Sequence, residues 1–107
     1  MYYEFIELAP FAAVRDELFP AERFLELQWY LCGCPEAGDL IPGTGGCRKI
    51  RWKVQGRGKR GGARVIYFLR TEAGRIVLVA AYGKNEQEDV SRQWLRKLKE
   101  NFDEQDK

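Results

Sequence analysis

The sequence predicts an α+β fold: a compact antiparallel sheet of about four strands with a mixed edge, with two N-terminal helices and one C-terminal helix packed on it. Three observations lead to it. Residues 63–70, "ARVIYFLR", and 75–82, "RIVLVAAY", are near-continuous apolar runs joined by the turn "TEAG", as expected of adjacent central strands covered on both faces. From Cys47 the chain alternates, with Ile50, Trp52 and Val54 pointing one way and Lys49, Arg51 and Lys53 the other. Apolar residues near both ends recur at helical spacing.

In chain order, residues 2–8, "YYEFIEL", read as a first strand in which Tyr3, Phe5 and Glu7 alternate against Tyr2, Glu4 and Ile6. Pro10 suits the first turn of a short helix carrying Phe11, Val14 and Leu18. A second helix from Pro20 to Leu31 buries Phe24, Leu27 and Leu31, until Gly33 and Pro35 stop it. Residues 35–46, rich in Gly and Pro, form a loop; the Cys47 strand follows, and "QGRGKRGG" (55–62) is the tip of a long hairpin. The C-terminal helix is expected from near Asn85, where Glu88 completes a reciprocal cap, to Phe102. Val90, Trp94, Leu98 and Phe102, with Leu95 beside them, supply its apolar stripe, and the tail "DEQDK" frays. The element order is β-α-α-β-β-β-α, without an internal repeat.

At 107 residues the chain is expected to be one domain, 1–107, and 45% hydrophobic content marks it as globular. The longest apolar run, Ile76–Tyr82, is too short for a bilayer, and the N-terminus carries acids where a signal peptide needs cations. A cytoplasmic protein is expected. There is no His, and Cys32, Cys34 and Cys47 fall short of the roughly four ligands of a zinc site. Three reduced, partly buried thiols are the better reading, and no metal or cofactor is expected. Without His there is no Ser/His/Asp or Cys/His arrangement, and "GTGG" and "GRGKRGG" lack Walker spacing. Glu36 and Asp39 read as cap and loop acids rather than a catalytic pair.

The net charge of +2 hides an asymmetry. Between Leu40 and Thr71 stand nine of the eighteen basic residues and no acid, leaving nine basic and sixteen acidic residues elsewhere. The plain explanation is a solvated strand face with a charged loop. Yet nine cations without an interspersed acid repel one another unless a polyanion joins them, which favours nucleic acid. Adjacent antiparallel strands gather Lys49, Arg51, Lys53 and Arg64 in one patch if Arg64 shares the wet face. Arg48, Arg57, Lys59 and Arg60 extend it. Nearby glycines let phosphates approach the backbone, and Arg suits bidentate phosphate contact and stacking on bases.

RNA cleavage can use the substrate's own 2′-hydroxyl as nucleophile, and then needs a base, an acid and cations for the developing charge. Without His, the proton carriers must come from Lys, Tyr, Arg or a carboxylate. A Lys among cations has its pKa lowered by like charge. Tyr82 and Lys84, in "AAYGKNE", meet the patch from the neighbouring strand; each also has a plain structural explanation, as a rim aromatic and a solvated turn residue.

The combination of "GDLIPGTGGCRKIRWKVQGRGKRGGARVIYF" and "YGKNEQEDVS" resembles the HigB-like branch of the RelE/ParE toxins of type II toxin–antitoxin systems, over about Leu27 to Leu98. The resemblance implies a compact RelE/ParE-like fold, ribosome-dependent cleavage of mRNA in the decoding site, and inhibition by a cognate helix-turn-helix antitoxin. By matching position, Lys49 and Arg51 correspond to the paired cations of such toxins and Arg64 to the arginine beside the scissile phosphate. Lys84 and Asn85 occupy the turn where well-known members carry a Lys-Arg pair. Those members place a catalytic Tyr early in the last helix. Here the region offers Ser91, which leaves the proton carrier open between Tyr82 and Lys84. Arg64, Lys84, Tyr82 and Lys49 are therefore the candidate catalytic residues, and Arg48, Arg51, Lys53, Arg57, Lys59, Arg60 and Asn85 the candidate RNA contacts. Two other functions suit the same fold: a ParE-like gyrase poison, and a non-catalytic RNA-binding module.

Overall fold

The computed structural model describes residues 2–53, 62–83 and 90–105. Arg57, Lys59, Arg60, Lys84 and Asn85 lie outside them, as do most of the expected hairpin tip and the Asn85–Glu88 cap. The elements are β1 (Glu4–Glu7), α1 (Ala9–Leu18), α2 (Ala21–Gly33), β2 (Asp39–Leu40), β3 (Arg48–Lys53), β4 (Gly62–Arg70), β5 (Arg75–Gly83) and α3 (Arg92–Gln105). The turn "TEAG" is a 3-10 turn closed by Gly74 in the left-handed region, at φ 68°. The sheet order is β1-β5-β4-β3-β2, with β1 parallel to β5 and the other pairs antiparallel.

The described residues hold five strands rather than four. The extra one, β2, is two residues inside the expected loop, and its pairing to β3 comes from tertiary hydrogen bonding that periodicity cannot report. The mixed edge is β1. As their apolar runs require, β4 and β5 are central, and their alternate residues enter two separate cores.

On one face Ala63, Val65, Tyr67, Ile76 and Leu78 pack with Phe11, Phe19, Leu27 and Leu31 from the α1–α2 side. Phe11, Phe19 and Phe24 form a ring cluster with centroids 5.8–6.0 Å apart. On the other face Ile66, Phe68, Val77, Val79 and Ala80 pack with Cys47 and Leu95, supported by Leu98 and Phe102 of α3. The N-terminal helices and the C-terminal helix thus cover opposite faces.

The last helix starts later than expected. Val90 and Ser91 are not helical, and the Ser91 hydroxyl accepts a hydrogen bond from the Trp94 N–H at 3.1 Å, which caps the first turn. From that start the buried stripe is Leu95, Leu98 and Phe102, and Trp94 is 40% exposed rather than part of it.

The loop before β2 is held by one buried side chain. The Tyr67 hydroxyl donates to Pro35 O and accepts from the Gly38 N–H, both at 2.8 Å. A Cβ at Gly38 would lie 3.0 Å from the Tyr67 ring and hydroxyl and 3.1 Å from Lys49 O, so any side chain there would press on the pin. Tyr67→Phe leaves both backbone groups without this partner and should lower unfolding stability by about 1–3 kcal/mol in a urea titration followed by Trp fluorescence. A change near zero would show that the pin contributes nothing.

Candidate nucleic-acid interface

The apolar core decides where the charge goes. Ile50 and Trp52 of β3 pack toward α1 and α2, and the Trp52 indole N–H donates to Arg23 O at 3.2 Å. Strand alternation then places Lys49, Arg51 and Lys53 on the opposite face. The register sets Arg51 opposite Arg64 and Arg64 opposite Tyr82, one row across three strands. Lys49, Ile66 and Ala80 form the next row, and Lys53 faces Gly62. Arg64 therefore shares the wet face.

Within the first row Arg51 is exposed, Arg64 is half-buried and Tyr82 is 6% exposed; Lys53 beyond it is exposed. The Arg64 Nη1 is buried with no hydrogen-bond partner among the described residues. A desolvated guanidinium N–H without an acceptor is costly, and an acceptor brought to this face would relieve that cost. Both arginine side chains pass over Gly62: a Cβ there would make ordinary van der Waals contact, at 3.5 Å from Arg64 Nη1 and 3.8 Å from the Arg51 Cγ. Two arginines in register with a phenol on one sheet face are chemically suited to a phosphate, held by charge and N–H donors.

The remaining described cations of the basic stretch do other work. Arg48 lies opposite Tyr67, on the α1–α2 face, and its guanidinium donates to Gly38 O at 2.7 Å and Glu36 O at 3.1 Å. It secures the Pro35–Gly38 loop and lies on the opposite face of β3 from Lys49, Arg51 and Lys53, sharing its parity with Ile50 and Trp52. Arg70 donates to Asp103 Oδ1, Lys99 donates to Asp103 Oδ2 at 3.2 Å, and the Arg70 guanidinium stacks 4.8 Å from the Phe68 ring centroid. This cluster fastens the end of α3 to β4.

The sequence reading missed two groups. Arg92 begins α3 and lines a cleft with Lys49. Asp39, expected as a loop acid, sits in β2 directly opposite Lys49. Both line a cleft of about 250 Å³ with Ile41, Lys49, Ile66 and Leu95. Its outer lip is the turn 41–47. There the buried Thr44 hydroxyl donates to Ile41 O at 2.7 Å and accepts from the Cys47 N–H at 3.1 Å. Gly43, Gly45 and Gly46 supply the positive φ that the tight path requires.

The three cysteines are unbridged, with Cys47 buried in the α3-side core, where burial pushes its thiol up despite the Thr44 hydroxyl and the Lys99 and Arg70 charges. Among the described residues no group of His, Cys, Asp or Glu is placed to hold a metal ion.

Burial pushes the Asp103 carboxyl upward, but hydrogen bonds and charge from Arg70 and Lys99 outweigh it and hold the group below its ordinary value. A depressed carboxylate pKa stabilises the fold above the unfolded value near 3.9, and that contribution disappears as pH falls through the folded value. Asp103→Asn should therefore cost up to about 1 kcal/mol at neutral pH, the solvent-screened size of such a pair, and almost nothing at acid pH. Paired urea titrations at the two pH values test this; an equal cost at both would refute the ionic origin.

Residues 38–105 match the family model described as the RelE toxin of the RelE/RelB toxin–antitoxin system, well over half of the chain. The match runs from the loop before β2 through α3 and contains the whole described cationic face.

Proposed function

The chain belongs to the RelE toxin family, and on that premise we propose that it is a metal-independent endoribonuclease of the HigB-like branch, cleaving mRNA in the ribosomal decoding site. Its role as the toxin of a toxin–antitoxin pair follows from the family; the chemistry is our reading. The observation that carries it is the Arg51–Arg64–Tyr82 row, with a buried Arg64 N–H lacking an acceptor among the described residues. The whole chain, 1–107, acts as one toxin domain.

In this reading the scissile phosphate sits on Arg64 and Arg51, oriented by paired N–H donors and stripped of water on the Arg64 side. The neighbouring 2′-hydroxyl attacks phosphorus as its proton passes to a base. The new O2′–P bond forms, the P–O5′ bond breaks, and the leaving O5′ takes a proton from an acid. The products are a 2′,3′-cyclic phosphate and a 5′-hydroxyl. The guanidinium groups stabilise the charge that builds on the phosphoryl oxygens. Tyr82, Lys84 and Lys49 are the candidate proton carriers, and Lys53, Arg57, Lys59, Arg60 and Asn85 hold the flanking backbone. The cognate antitoxin, a helix-turn-helix protein, covers the face with an acidic segment.

The reading predicts cleavage at the decoding site of programmed ribosomes, mapped by primer extension, for the wild type. Arg64→Ala should lower the rate about 100-fold or more, the usual loss when a transition-state donor is removed, and Lys84→Ala should also lower it. Intact mRNA from folded wild-type protein would overturn the nuclease. Accumulation of DNA-cleavage complexes with gyrase would then place the chain with the gyrase poisons. Neutralising Lys49, Arg51, Lys53 and Arg64 together should release the co-purifying antitoxin; retention would refute the acidic cover.

A further inference from the structure

The cleft beside the phosphate row has features that phosphate binding does not use. Its floor is apolar, from Ile41, Ile66 and Leu95, with Ile66 1% and Leu95 0% exposed. Its rim holds Lys49 and Arg92 on the one hand and Asp39 on the other. A carboxylate on a face built for phosphates is a misfit, because it repels the backbone it would meet. Asp39 pairs with β3 through its backbone, but its carboxylate makes no hydrogen bond or ion pair with another described side chain, although Lys49 stands directly opposite it in the register. The Arg92 stem lies against the turn at Gly43, where a Cβ would stand 3.7 Å from its Cδ. A flat group with apolar faces and a hydrogen-bonding edge matches such a space, and an Arg plane at the rim suits stacking.

Resting on the RNA reading above, we propose that this cleft receives one nucleobase of the bound strand and that Asp39 reads its exocyclic amino group. The cleft lies one residue pair, about 7 Å of strand, from the Arg51–Arg64 row. A nucleotide with its phosphate on that row reaches the cleft with its base. Cytosine and adenine carry an amino donor on the edge that a carboxylate accepts from, whereas uracil presents a carbonyl oxygen there, which Asp39 repels. Arg92 contributes to every base alike, through the ring face.

Binding of fluorescein-labelled rC3, rA3 and rU3 without ribosomes, read by anisotropy, isolates this claim from catalysis. The wild type should hold rC3 and rA3 about tenfold more tightly than rU3, the worth of one hydrogen bond to a charged acceptor. Asp39→Ala should bring the three affinities together, while Arg92→Ala weakens all three and keeps their ratio. Equal wild-type affinities, a ratio that survives Asp39→Ala, or no binding at all overturns the proposal. mRNA cleavage on ribosomes with equal trinucleotide affinities would leave the nuclease standing and remove the base reader. A ratio that depends on Asp39 in a protein that leaves mRNA intact would do the reverse.

Discussion

Everything on the cationic face depends on two like charges being held opposite each other. Arg51 and Arg64 are cross-strand partners, an arrangement that costs several tenths of a kcal/mol in a sheet. What holds them is on the far side of the same strands. Ile50 opposite Val65 and Trp52 opposite Ala63 pack into the α1–α2 core, and fully burying a side chain such as Val65 is worth about 1.5–3 kcal/mol. A slip of one residue would send the arginines into that core and the apolar side chains into water. The hydrophobic pattern thus fixes a geometry that electrostatics alone would reject.

Much of this was legible in the sequence, because it rests on alternation. The face shared by Lys49, Arg51 and Lys53, the two-sided burial of β4 and β5, and the buried Phe11, Leu27 and Leu31 all follow from spacing. What was not legible has physical reasons. β2 is too short to show a period, and its place comes from pairing with β3. The Asn85–Glu88 pattern drew the helix start forward, while the Ser91 cap acts through one hydroxyl. Arg92 and Asp39 meet across the cleft only because α3 and β2 are brought to the same face. Arg48 lies on the Ile50 and Trp52 side of β3 by parity, which the density of charge around it obscured.

The basic run therefore divides by task. Arg48 satisfies two backbone carbonyls, and Arg70 satisfies a carboxylate of α3. Both are partnered within the fold, so the repulsion suggested by nine cations without an acid is smaller than a linear count implies. Among the described residues of the run, Lys49, Arg51, Lys53 and Arg64 share the other face, and the Tyr67 hydroxyl secures the loop from which the neighbouring strand β2 departs.

The parallel pairing of β1 with β5 has a consequence for how the molecule comes into being. Glu4 and Arg75, joined by a hydrogen bond of 3.3 Å, are 71 residues apart in the chain. Closing so long a loop is entropically slow and must precede the reward of packing. The first strand pairs with β5 and cannot find its place in the sheet until Arg75–Gly83 has been synthesised, and the α1–α2 core gains Ile76 and Leu78 only with the same strand. The guanidinium row, which also needs Tyr82 from that strand, is completed only then, so the site matures at the end of synthesis rather than along the way.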